Sequence, residues 1–259
     1  MPLRPTTLIV LLAVAVVLAA ALAAVTLPGV SVTDGSAFER RVRTYLLAHP
    51  DVIADAVVVL RQRKADADVI AQREAVRANR SDILSSGALP VAGNPNGDVT
   101  VVEFFDYNCP YCRQAFPLIR ALLAADTGIR LVLREFPVLG PESSFASRAA
   151  IAASLQGKYL AFHDALMTRG GEITPPVVLD VAGVTGLDVE RLKADMAKAE
   201  ISAMIDSSHA LARRLLITGT PTFIIGDELI SGFAGIDEIK AAVALARSRK
   251  VPAGRNGQP

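Results

Sequence analysis

The two cysteines of this chain stand three positions apart, in Cys109-Pro110-Tyr111-Cys112. The thiolate is the form of cysteine that attacks disulfides and binds soft metals, so this pair offers thiol–disulfide exchange or metal binding. A structural cross-link is the poorer reading. Disulfides stabilise mainly by closing long loops in the unfolded chain, and a Cys-x-x-Cys pair closes almost none. In exchange, Cys109 is the nucleophile and Cys112, one helical turn on, resolves the mixed disulfide and releases the product. Pro110 and Tyr111, between the sulfurs, are expected to tune the thiolate and the reduction potential. Pro110 is equally an ordinary first residue of a helix.

Zinc asks for four ligands, and no second CxxC and no His pair among His49, His163 and His209 completes such a set. No metal site is therefore assigned, and no organic cofactor is needed. Two thiolates can hold Cu(I), which accepts low coordination, so a Cu(I)-binding protein is the alternative that uses the same cysteines. A non-catalytic chaperone is a third reading; it would keep its client binding after Cys109→Ser.

A reactive cysteine needs surroundings that favour its anion, and the first turn of a helix provides them through unpaired N–H groups and the macrodipole. The flanking sequence predicts such a site. Val99–Phe105 is rich in β-branched and aromatic residues and reads as a buried strand. From Cys112 onward, Phe116, Ile119, Leu122 and Leu123 fall at helical spacing, with Pro117 tolerated at a kink. The chemistry thus sits where a strand hands over to a helix.

Arg130–Phe136 is a second strand. Helical pattern then runs through Ser143–Gln156, Tyr159–Thr168, Pro176–Val184, Val189–Met196 and Ile201–Leu216. Strand character returns at Thr222–Ile225 and Leu229–Ser231, joined through Gly226-Asp227, and Ile236–Arg247 closes the chain as a helix. This order describes an α/β domain over residues 94–248 with a helical subdomain inserted at about 143–217. Gly87–Asp98, rich in Gly, Pro and Asn, reads as linker and turn.

Ahead of it, residues 36–86 form an N-terminal helical region. Ser36 and Glu39 make a capping box for a helix over Ala37–Ala48, which His49-Pro50 ends. A second helix runs from Asp51 toward Asn79. Its first half is apolar and its second half, Arg61–Arg80, is charged, with Val69, Ile70 and Val76 as sparse apolar points. Such a thin stripe suits a solvated stalk, a spacer or an oligomerisation element.

Residues 1–28 carry an apolar run, Leu8–Val25, behind Arg4 as its only side-chain charge. It reads as an export signal with Ala21-Leu22-Ala23 as cleavage site, or as an uncleaved anchor, because its length just reaches a bilayer span. Either reading places the remainder outside the cytoplasm. The 259 residues are 51% hydrophobic and 20% charged with a net charge of +1, which describes a globular chain without the basic stripe of a nucleic-acid binder.

The stretch Val101-Val102-Glu103-Phe104-Phe105-Asp106-Tyr107-Asn108-Cys109-Pro110-Tyr111-Cys112, together with Thr220-Pro221-Thr222-Phe223, resembles the DsbA-like branch of the thioredoxin superfamily. The resemblance covers about Asn94–Arg247 and implies a thioredoxin-like fold with a helical insertion. It further implies that Pro221 is cis against the cysteines, that Thr220 offers its backbone to substrate peptide, and that Glu103 is a buried acid assisting proton transfer. Residues 36–86, with Tyr45-Leu46-Leu47-Ala48-His49-Pro50, resemble the N-terminal helices of the ScsC subgroup, which is linked to copper tolerance. Some members form trimers through them, so a homo-oligomer is a possible partner arrangement. The resemblance implies cysteine-containing client proteins and a membrane redox partner, either an oxidase or a thiol-relay reductase. It tilts the direction toward isomerase or reductase work over oxidase, in a periplasmic or other extracytoplasmic location.

Overall fold

The computed structural model describes residues 15–16, 35–85 and 89–250. Among these no helix is long and apolar enough to cross a membrane. The signal or anchor expected at 1–28 lies outside the described residues apart from 15–16.

The chain divides into two compact units, 1–65 and 66–259. The first holds helix α1 (Gly35–Ala48) and the opening turns of α2 (Asp51–Ala78). α1 already includes Ser36, so the expected capping position lies inside the helix, a displacement of the size usual for helix ends. Pro50 separates the two helices as expected. Phe38, Val42 and Tyr45 recur at helical spacing on α1, and Ile53, Val57 and Leu60 on α2, all of them exposed within this unit.

The second unit opens with the remainder of α2 and the short α3 (Arg80–Leu84). There follow β1 (Val91–Gly93), β2 (Val99–Phe105), α4 (Pro110–Ala125) and β3 (Ile129–Glu135). Five helices come next: α5 (Pro141–Ser154), α6 (Tyr159–Thr168), α7 (Pro175–Val184), α8 (Val189–Met196) and α9 (Ala199–Arg214). β4 (Thr222–Ile225), β5 (Glu228–Ser231) and α10 (Ile236–Lys250) complete it. The sheet order is β1-β3-β2-β4-β5, with β2 and β3 parallel and the other pairings antiparallel. This is the α/β architecture with a helical insertion that the sequence predicts. β1 is an addition, a three-residue edge strand inside the segment read as linker, pairing Val91–Gly93 with Arg130–Val132.

Pleating sends alternate side chains of β2 to opposite faces. Val101 and Phe105 join the larger core under α4, α10 and the helical insertion, whereas Val102 and Phe104 join a second core on the other face. That second core is closed by Leu211 and Ala212 of α9, by Leu215 just after it, and by Val76 and Ile83. Val76 is 1% exposed although it lies in the charged tract Arg61–Arg80 read as a stalk, spacer or oligomerisation element, and Ile83 of α3 is 3% exposed. Val69 and Ile70, by contrast, face water. Arg73 pairs with Glu228, and Arg77 and Arg80 with Asp227, so three arginines of this tract meet the β4–β5 turn.

Candidate active site

β2 ends at Phe105, and Asp106–Asn108 turn the chain into α4 with Cys109 as its N-cap and Pro110 at its first position. Proline fits there because its missing N–H would be unpaired in any case. α4 runs through Pro117, as expected, and buries Cys112, Ala115, Ile119 and Leu122. Both cysteines are free thiols and both are largely covered, Cys109 at 4% exposure and Cys112 at 0%. Between them Tyr111 is 55% exposed.

Across the site, the Thr220–Pro221 peptide bond is cis. The Cys109 Sγ–H donates to the Thr220 carbonyl at 3.2 Å. On ionisation the sulfur has other partners. The Cys112 thiol, the side chain of Thr220 and the backbone N–H groups of Cys112 and Tyr111 favour the anion and draw the Cys109 pKa down to about 6, against an opposing cost of burial. Cys112 is driven the other way. Burial first, then the hydrogen bond it gives to Cys109 and the nearby charge of Glu103, push its thiol far up. One sulfur is therefore a ready nucleophile near neutral pH while the other holds its proton.

Glu103 lies in the middle of β2, opposite Leu133 on one side and Phe223 on the other, and is 4% exposed. Burial alone lifts its carboxyl to about 8. The site thus gathers Cys109 and Cys112 from the start of α4, Glu103 from within β2, and Thr220 and Pro221 from the segment just ahead of β4. Among the described residues no group of three or more Cys, His, Asp or Glu side chains forms a metal cage.

The loop ahead of Cys109 carries a scaffold that the sequence reading did not find. Asp106 Oδ1 accepts from the Asn108 N–H at 2.8 Å and from Ser143 Oγ at 2.7 Å, while Oδ2 accepts from the N–H groups of Val138 and Leu139. Asn108 exchanges two hydrogen bonds with the backbone of Ile173. Arg113 Nε donates to the Tyr107 carbonyl at 2.8 Å. Tyr107 itself reaches Glu135 and His163. The available signal was an acid at the end of an apolar strand, Glu135, of the same kind as Glu103.

Residues 100–244 match the family model described as the DSBA-like thioredoxin domain, which is more than half of the chain. The chain belongs to the DsbA-like thioredoxin family. Residues 34–67 match a second model, the copper resistance protein ScsC N-terminal domain. The crystal structure of a thioredoxin-like oxidoreductase from Silicibacter pomeroyi is 50% identical, with a TM-score of 0.65, covering 66% of this chain and 98% of that one. Disulfide bond formation protein D of Bacillus subtilis is 28% identical over 60% of this chain and 75% of its own length. The Na(+)/H(+) antiporter NhaA 1 of Salinispora arenicola is 36% identical over 60% of this chain, but the matched stretch spans only 24% of that antiporter. The DsbA-like part of this chain thus also resembles a stretch of much longer proteins.

Proposed function

We propose that this protein is an extracytoplasmic thiol-disulfide oxidoreductase acting on protein disulfides. The observation that carries the reading is Cys109 at the mouth of α4, with its pKa drawn down to about 6 and its sulfur 3.2 Å from the carbonyl before the cis proline. The Cys109 thiolate attacks one sulfur of a client disulfide; a Cys109–client bond forms, the client S–S bond breaks, and the other client sulfur leaves as a thiolate and takes up a proton. Thr220 holds the client backbone beside the cis proline while this occurs. Cys112 then gives its proton to Glu103 in its ionised form and attacks Cys109, so that the second client sulfur leaves as a thiolate and takes up a proton, and the protein is left with the Cys109–Cys112 disulfide. If a second client thiol attacks first, Cys109 is regenerated and the client disulfide has been shuffled. Pro110 and Tyr111 tune the potential at which these steps balance.

We place isomerase or reductase work ahead of oxidase. The match of residues 34–67 to the ScsC N-terminal domain and the exposed apolar residues of α1 and early α2 support a homo-oligomer that brings several sites to one client. Clients are cysteine-containing proteins, and a membrane redox partner resets the cysteines. The periplasmic location printed for a Salmonella thioredoxin-like relative supports the placement. The same family match supports a second reading, Cu(I) held by the two sulfurs.

The test is reactivation of scrambled ribonuclease run beside oxidation of reduced ribonuclease, with Cys109→Ser as control. Reactivation lost in the variant supports shuffling; oxidation without reactivation moves the assignment to an oxidase. Activity in neither assay, with tight Cu(I) binding in a parallel titration, gives the copper reading.

A further inference from the structure

Five polar side chains converge beneath the catalytic loop, from elements far apart in sequence. Glu135 Oε1 accepts from Tyr107 Oη at 2.9 Å and from Tyr159 Oη at 2.7 Å, and Oε2 accepts from Ser147 Oγ at 2.8 Å. Tyr107 Oη also lies 3.0 Å from His163 Nδ1. All five side chains are buried, Tyr107 and Ser147 completely. The His163 ring is packed by Phe105 of β2, Phe116 of α4, Tyr107 and Tyr159. Strand β2, the catalytic loop, helix α4 and the helical insertion thus meet at one polar knot.

We propose that Glu135 is a positioning residue for thiol exchange, acting through Tyr107 to hold the turn that delivers Cys109 to the mouth of α4. Tyr107 is the only member in that turn, two residues before the nucleophile. Its carbonyl is fixed by Arg113 and its hydroxyl by Glu135 and His163, so both ends of the residue are tied. The hydrogen bonds close in either protonation state of the acid. With Glu135 ionised, Tyr107 donates to it and His163 Nδ1–H donates to Tyr107. With Glu135 protonated, its O–H donates to Tyr107, whose own proton turns to His163 Nδ1. Burial, which holds His163 neutral and lifts Glu135 to about 8, is compatible with both.

Geometry and charge give opposite signs in the test. A glutamine at 135 can accept from both tyrosines through its oxygen and donate to Ser147 through its amide, so Glu135→Gln keeps the knot without the charge. Glu135→Leu removes both. If positioning is the role, Glu135→Leu loosens the turn, Cys109 loses alignment with the N–H groups of Tyr111 and Cys112, and its pKa rises. Were Glu135 instead to act as an anion, against the burial that keeps it protonated near pH 6, its loss would lower the Cys109 pKa in both variants.

The inference rests on Cys109 being the activated thiol, so wild type is measured first by thiolate absorbance at 240 nm and by iodoacetamide alkylation of the full chain, with no protein client present. We expect a midpoint near 6 for wild type and Glu135→Gln. For Glu135→Leu we expect a rise of about 0.7 pH unit, seen at pH 6 as about a threefold loss in thiolate and alkylation rate. Tyr107→Phe, which keeps the ring and drops one hydroxyl, should move the midpoint the same way and serves if the leucine variant does not fold. An ordinary thiol midpoint in wild type would remove the functional reading itself. A normal wild type with unmoved midpoints in Glu135→Leu and Tyr107→Phe, whatever their melting temperatures, would overturn positioning alone, as would a fall in the midpoint of Glu135→Gln.

Discussion

Lowering the pH should remove a defined part of the reduced protein's stability through Cys109. Its folded pKa of about 6 lies below the ordinary value of 9.0, so the folded state favours the anion. A group depressed in this way contributes stability that is complete above the unfolded pKa and is lost as the pH falls through the folded one. Between pH 8 and pH 5 the change amounts to about 2.5 kcal/mol at most, most of it above pH 6. At pH 7 the corresponding gain is about 1.4 kcal/mol, which favours dithiol over disulfide by about 30 mV for a two-electron couple. Buried carboxyls titrate with the opposite sign over part of this range, so the informative quantity is a difference. Urea unfolding of reduced wild type and reduced Cys109→Ser, taken at half-unit pH intervals, should give curves that converge as the pH falls from 8 to 5. Parallel curves, together with a thiolate midpoint at 8 or above, would refute the argument that the helix entry and its partners stabilise the anion.

Glu103 should show the reverse dependence, since its raised carboxyl contributes stability fully below the unfolded value of 4.5 and loses it as the pH rises through about 8. Glu103→Gln should therefore gain up to about 4 kcal/mol on wild type between pH 5 and pH 9 in urea melts, and should accumulate mixed disulfide in quenched-flow gels. Cys112→Ser should trap the Cys109–client adduct outright, visible on non-reducing gels. Ile83→Ala should cost about 2–4 kcal/mol because a buried side chain leaves a cavity, whereas Val184→Ala, at a position 81% exposed, should stay within about 0.5 kcal/mol. Ile53→Asp with Leu60→Asp should lower the particle mass in light scattering if the exposed N-terminal residues assemble copies of the chain; an unchanged mass would count against that use of them.

The parts of the fold that local pattern specifies were legible in the sequence. Val99–Phe105, Tyr159–Thr168 and Val189–Met196 form elements with the expected limits, the first because a β-branched and aromatic run is bounded by turn residues and the two helices because their apolar positions are bounded in the same way. The two cysteines stand out singly because an isolated Cys-x-x-Cys pair is rare, whereas Thr220-Pro221 is read only through the family resemblance, whose implied cis bond is present. β1 was hidden because three residues in a Gly- and Pro-rich stretch carry no alternation, and only the exposed edge of β3 selects them as a strand. The Glu135 knot was hidden for a different reason. Its members span residues 107–163, each with an ordinary local role, and only the packing of α5 and α6 on the sheet brings them together. Val76 was legible only as one of three sparse apolar points, and its burial, unlike the exposure of Val69 and Ile70, depends on partners on the far face of the sheet.

That valine limits how the chain can be cut and rejoined. Residues 66–84 look like the trailing part of a stalk, yet they roof the second core, with Val76 and Ile83 seated over Val102, Phe104 and Val132. A splice near residue 94, where the family resemblance begins, would strip that roof and present an oily face to the solvent. A splice near residue 66 would carry it along. A fusion that joined this DsbA-like domain to a new carrier would need the earlier joint to keep the second core covered, so the portable unit is longer than the stretch that carries the family resemblance.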